Sequence, residues 1–101
     1  MIVYNVTINV DANIHDAWFK WMKEKHLGDV MATGMFTSYK FLKLLSKHDE
    51  EQGETYAIQY FAATMDNYER YQKDFAPQLQ SDGRNLFGDS FHAFRTLLQE
   101  V

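Results

Sequence analysis

The residue with most chemistry within reach is His26. It stands four residues after Met22, at the end of an apolar helix stripe, and three before Asp29. A carboxylate at that spacing can orient an imidazole and raise its pKa, and an imidazole facing a pocket can serve as a general base. The plainer reading is a cation at a helix C-terminus meeting the dipole and an adjacent Asp. A second set consists of Asn5, Thr7, Gln59 and Arg95, whose amide, hydroxyl and guanidinium groups suit an oxyanion or a carbonyl. His92 falls on a strand, and His15 and His48 read as surface residues. Metal chemistry has no support in the spacing, since neither H-x-H nor H-E-x-x-H occurs. Asp49, Glu50 and Glu51 are a short acidic run without the pattern of a calcium loop. Without cysteine there is no thiol nucleophile, disulfide or thiolate metal site. The five glycines are scattered and make no phosphate cradle. No metal and no cofactor is expected.

These residues need elements to position them. Ile2 to Val10 alternates with period two, which predicts a strand. Asp11 to Asn13 offers caps for a first helix, carried by Ile14, Ala17, Trp18, Trp21 and Met22 to about His26. Gly28 and Asp29 interrupt it, Val30 to Thr33 adds a turn, and Gly34 stops it. Phe36 to Leu45 reads as a second strand, Lys47 to Gly53 as a polar hairpin loop, and Thr55 to Ala62 as a third strand. Asp66 caps a second helix with Glu69 as its capping-box partner, and Tyr68, Tyr71, Gln72 and Phe75 form its stripe. Pro77 breaks that helix or starts a further turn. Ser81 to Asp89 reads as a loop or short helix, and Phe91 to Leu98 as a fourth strand. The Trp18/Trp21 pair and Tyr68 and Tyr71 read as packing. The order β-α-β-β-α-β predicts an α+β, ferredoxin-like domain over residues 1–101: a four-stranded antiparallel sheet with two helices on one face.

Two helices cover only one face. The other is apolar as well, since three of the four strands carry apolar residues in both phases: Tyr39 and Phe41 against Leu42 and Leu44, Tyr56, Ile58 and Tyr60 against Ala57 and Phe61, and Phe91 and Leu97 against Phe94 and Leu98. An open patch of that kind marks an interface, and the simplest partner is a second copy stacked sheet to sheet. Asn5, Thr7 and Gln59 lie within that face. Arg95 is placed with them, the fourth strand turning Phe91, Ala93 and Leu97 the same way, since burying it under helices would cost more. These polar groups either pair with one another in a dimer core or line a small cavity between the sheets.

Fourteen acidic against ten basic residues give a net charge of -4. No basic stripe is present to neutralise phosphates, so nucleic acid is not expected as a partner. No apolar run nears the roughly 18 residues that cross a bilayer, and the N-terminus lacks the pattern of a signal peptide. With no cysteine, a cytoplasmic location is expected.

The runs MIVYNVTINVD, WMKEKHLGDVMATGMF, YAIQYF, NYERYQKDFAPQLQ and FRTLL together resemble an uncharacterised bacterial family, domain of unknown function 4286, over essentially the whole chain. That family looks related to the dimeric α/β-barrel superfamily. The resemblance implies a homodimer and brings no established activity. The wider superfamily includes cofactor-free monooxygenases, haem-degrading monooxygenases, isomerases and stress-response proteins. Its haem-degrading members use a first-strand Asn, a Trp and a second-helix His. Asn5 matches the first element, but Asp66 to Phe75 contains no His and both Trp residues lie on the first helix. The expectation is a homodimeric protein with a structural or small-molecule-binding role. The alternative is a cofactor-independent monooxygenase- or isomerase-like enzyme for a small apolar or aromatic compound. In it Arg95 and Asn5 would hold an oxyanion and His26 would move a proton.

Overall fold

A computed structural model describes residues 1–46 and 52–101. Along the chain come β1 (Ile2–Val10), α1 (His15–Trp21), α2 (Leu27–Ala32), β2 (Ser38–Lys43), β3 (Glu54–Ala62), α3 (Met65–Asp74), α4 (Ala76–Phe87) and β4 (Phe91–Gln99). The strands lie in the order β2-β3-β1-β4, and every neighbouring pair is antiparallel. This is the expected α+β ferredoxin-like arrangement.

The period-two pattern does what it predicts. Ile2, Tyr4, Val6, Ile8 and Val10 are buried, and the residues between them are half-buried. Cross-strand register puts Tyr4 beside Tyr60 and Val6 beside Ile58, so one face of the sheet carries the core. Tyr4 anchors an aromatic cluster, with ring centroids 5.9 Å from Tyr71 and 6.0 Å from Tyr60. Phe36 closes onto Tyr71 at 4.8 Å. Burial in that cluster pushes the Tyr60 and Tyr71 hydroxyls up, so both stay protonated phenols.

Several boundaries differ from the expectation, each for a local reason. Asp11 makes no side-chain cap; the chain enters α1 through a 3-10 turn, Ala12–Ile14. Gly28 does not interrupt the first helix, which runs on through a π turn, Met22–His26, to Ala32. Gly34, at φ 77°, follows its end as expected. The cap of α3 is Thr64, whose hydroxyl accepts from the Asn67 N–H at 3.2 Å, with Asp66 one position into the first turn. Pro77 starts α4 rather than ending a helix, because a first-turn position has no hydrogen bond for its missing N–H to lose. The segment read as loop or short helix thus lies in α4 up to Phe87, where Gly88 takes a positive φ. His48 and the acidic run of the hairpin loop lie outside the described residues.

Arg95 is the main correction. It pairs with Val6, and Phe91, Ala93 and Leu97 share its phase, so it belongs to the helix side of the sheet. The cost expected of that placement does not arise. β4 is an edge strand, and Arg95 remains exposed to water.

The open face carries Asn5 opposite Gln59, ringed by Phe94 at 69% exposure, Leu98 at 45% and Leu42 at 44%. Asn5 Nδ2 donates to Thr7 Oγ1 at 3.1 Å. No helix among the described residues is long and apolar enough to cross a membrane.

Candidate functional site

A cleft of about 280 Å³ lies between the helices and the β1–β4 half of the sheet. Val6, Ile8 and Ala93 are its strand side, Trp21 and His26 come from the first crossover, and Tyr71, Leu79, Gly83 and Arg84 from the second. Arg95, His92 and Asp89 complete the lining at the β4 end.

The π turn makes the Trp21/His26 pair. At roughly 100° per residue, positions five apart on an α-helix stand about 140° apart around the axis. A π turn bonds i to i+5 and brings such residues into line. Trp21 and His26 are five apart, and their rings stack with centroids 4.6 Å apart at 26°. Phe87 meets the indole edge-on at 5.6 Å. Gly83 of α4 lies against the same indole: a Cβ there would come 3.1 Å from Trp21 Cη2.

That contact yields a prediction. In a free helix Gly→Ala stabilises by about 1 kcal/mol, worth roughly 4–8 °C in a domain this size. Gly83→Ala is expected to give no such gain, because the indole already packs on His26 and Phe87 and a Cβ at 3.1 Å would push it against them. A thermal melt of the variant several degrees above the parent would contradict this packing.

His26 behaves opposite to its sequence reading. Asp29 is engaged elsewhere, its Oδ2 accepting from Lys25 Nζ at 2.6 Å. Burial strips the imidazole of water and lowers its pKa to about 4, against the upward pull of Asp29 and Asp82 and with small help from Lys25 and Arg95. The ring is therefore neutral near pH 7. It is not a helix-terminal cation either, since the helix continues to Ala32. Two polar atoms of this pair, Trp21 Nε1 and His26 Nδ1, are closed to water and meet no hydrogen-bond partner among the described residues.

The five residues singled out in the sequence therefore fall into two groups. His26 and Arg95 line the cleft together, whereas Asn5, Thr7 and Gln59 sit on the open face of the sheet. The cleft also recruits Trp21, Tyr71, Gly83 and Arg84, which sequence reasoning had taken for packing or passed over. His15 is no loose surface group: its Nε2 lies 2.6 Å from the Tyr56 hydroxyl and its Nδ1 3.0 Å from Asp16 Oδ1, both within hydrogen-bond reach. Among the described residues no three His, Cys, Asp or Glu side chains gather where a metal would sit.

Comparison with known proteins gives a family and a fold. The profile of a family described as Domain of unknown function (DUF4286) matches residues 1–101. No curated protein matches. An ethyl tert-butyl ether d (ethd) family protein from Bacillus halodurans c-125 superposes with a TM-score of 0.74 at 10% identity, covering 100% of both chains. SnoaB, a cofactor-independent oxygenase from Streptomyces nogalater, gives 0.66 at 12% identity, over 98% of this chain and 91% of its own. A dimeric ferredoxin-like protein of unknown function from Jannaschia sp. CCS1 gives 0.60 at 14%, with 100% of both chains covered. At these identities the likeness is one of fold.

Proposed function

The chain belongs to the DUF4286 family of unknown function, and we propose that it is a homodimer whose subunits each bind a small, flat, largely apolar molecule in the cleft beneath the helices. One observation carries the binding reading: a concave site walled by Trp21, Tyr71 and Phe91 that gathers two of the chain's three arginines, Arg84 and Arg95, among its lining residues. Pockets for small ligands join apolar walls to a few converging polar groups, and this one sets aromatic walls beside a polar end formed by Arg84, Asp89, His92 and Arg95. An acidic substituent on the ligand would meet the guanidinium groups, whose planar forks suit a carboxylate.

The test is a thermal-shift screen over aromatic acids, quinones and haem, followed by Arg95→Ala. A ligand at a hundred times its Kd stabilises by about 2.7 kcal/mol, which such a screen reads easily. Arg95 is exposed, so its removal should leave the unliganded melt nearly unchanged. Binding of an aromatic carboxylate should weaken about tenfold, in line with the loss of one charged hydrogen bond. Unchanged affinity in the variant would remove Arg95 from the site.

The dimer rests on the open face. Phe94, Leu98, Leu42 and Leu44 are exposed around the polar pair Asn5 and Gln59, and stacking on a second copy would cover them. One structural neighbour is itself described as dimeric. Light scattering at micromolar concentration is expected to give twice the chain's 11.9 kDa mass, and a monomer there would contradict the stacking.

An enzymatic reading is favoured by one feature, the unprotonated imidazole in the cleft. With its pKa near 4, His26 keeps its lone pair at neutral pH but is a weak base, so it would take a proton only from a ligand that is itself acidic. One neighbour of the same fold is described as a cofactor-independent oxygenase. In this reading His26 is the base and Arg95 holds the anion that forms. His26→Ala would then abolish turnover while the chain stays folded at neutral pH.

A further inference from the structure

The cleft wall contains two polar atoms that packing does not explain. Trp21 Nε1–H and His26 Nδ1 are both closed to water and both without a partner among the described residues. A buried donor or acceptor left unmade is rare in a folded protein and asks for a cause. Packing is not that cause, because phenylalanine at either position could stack on its neighbour and carry no orphaned atom. Nor are the two atoms unrelated. One π turn joins them, Trp21 just before it and His26 at its end; their rings are stacked, and one is a donor while the other, on a neutral imidazole, can accept. π turns in helices recur at functional sites.

Resting on the reading of the cleft as a small-molecule site, we infer that Trp21 Nε1–H and His26 Nδ1 form a recognition edge for a neutral donor–acceptor pair on the ligand. The matching chemistry is a planar ring whose carbonyl stands next to an N–H or O–H: a lactam or a hydroxy-carbonyl edge. Its carbonyl oxygen accepts from Trp21, and its N–H or O–H donates to His26. A carboxylate is a poor fit at this edge, since it would set an anion against the imidazole lone pair. An acidic group on the same ligand is left to Arg84 and Arg95. Because both orphaned atoms are closed in the free chain, the ligand must displace a neighbouring side chain to reach them. Association is then slower than the usual range of about 10⁵–10⁷ M⁻¹s⁻¹.

The experiment compares two flat bicyclic acids on the full chain: 1-naphthoate, and 1-oxo-1,2-dihydroisoquinoline-4-carboxylate, which keeps the bicyclic frame and adds the lactam edge. Affinities are measured by calorimetry for the parent, Trp21→Phe and His26→Phe. The indole N–H resonance of Trp21 is followed by NMR in the parent, so one readout does not depend on the variants folding. The inference expects the lactam acid to bind at least about tenfold more tightly than naphthoate. Each variant should erase that preference, whatever it does to naphthoate binding itself, and the indole resonance should move downfield with the lactam acid alone. Equal binding of the two acids, or a preference that survives in both variants, overturns the recognition edge and leaves the cleft reading standing. No binding of either acid at millimolar concentration overturns the cleft reading and the edge with it.

Discussion

Gly53→Ala is expected to destabilise the chain by about 3 kcal/mol, lowering its melting temperature by roughly 12–24 °C. Two costs combine. The first is conformational, because Gly53 has φ 75°, a region that costs an L-residue about 1–2 kcal/mol. The second is steric. A Cβ at this position would be driven into the carbonyl of Val10, a backbone group at the fully buried end of β1. That carbonyl cannot move without disturbing the pairing of Val10 with Glu54 at the end of the β1–β3 ladder. Gly34 is the control. It has nearly the same φ, 77°, but a Cβ there meets nothing within 4 Å. Gly34→Ala should therefore show the conformational cost alone, about 1 kcal/mol, and the difference between the two variants measures the collision. Equal losses in chemical denaturation would mean that Val10 and Gly53 are not in contact.

The second large effect is a pH dependence owed to His26. Its pKa is about 4 in the folded chain and about 6.5 when exposed. Above pH 6.5 the ring is neutral in both states, and it contributes nothing to the pH profile. As the pH falls from 6.5 toward 4, the unfolded chain takes up a proton that the folded chain refuses, so stability drops with pH in that window. At 1.36 kcal/mol per unit, the full loss is up to about 3 kcal/mol, complete near pH 4. The charged groups that bear on the imidazole are Asp29 and Asp82, which raise its pKa, and Lys25 and Arg95, which lower it. Burial outweighs the two carboxylates, and this fixes the sign. His26→Phe keeps a ring against Trp21 and removes the titration. Unfolding free energies of parent and variant should therefore diverge between pH 6.5 and pH 4, with the parent losing more. A constant difference, or a His26 NMR titration centred near 6.5, would show that the ring is hydrated.

Much of the architecture was legible because the physics that sets it is local. The alternation of β1 is complete from Ile2 to Val10, and the structure follows it residue by residue. β1 and β3 were rightly made central neighbours, with Asn5 and Gln59 on one face, since strand order follows from the β-α-β-β-α-β pattern and the face follows from the phase; the register that sets the two opposite each other is visible only in the structure. The site was less legible, for two physical reasons. Nothing in MKEKH announces a π turn, and an α-helical wheel puts Trp21 and His26 far apart. Their stacking therefore had no sequence signal. Arg95 was misplaced by a correct rule applied to the wrong environment. Burying a guanidinium under helices is costly, but at an edge strand the group can lie on the helix side and still reach water. With Arg95 on that side, the candidate cavity moves from between two subunits to within one, beside His26.

That relocation is the claim most open to a direct check. Titration of ¹⁵N-labelled chain with 1-naphthoate, followed by backbone amide shifts, would locate the ligand. The cleft reading predicts perturbations at Tyr71, Leu79, Gly83 and Ala93, with Asn5, Ala57 and Gln59 unmoved. Shifts centred on Asn5 and Gln59 would instead place the ligand on the open face and contradict the account.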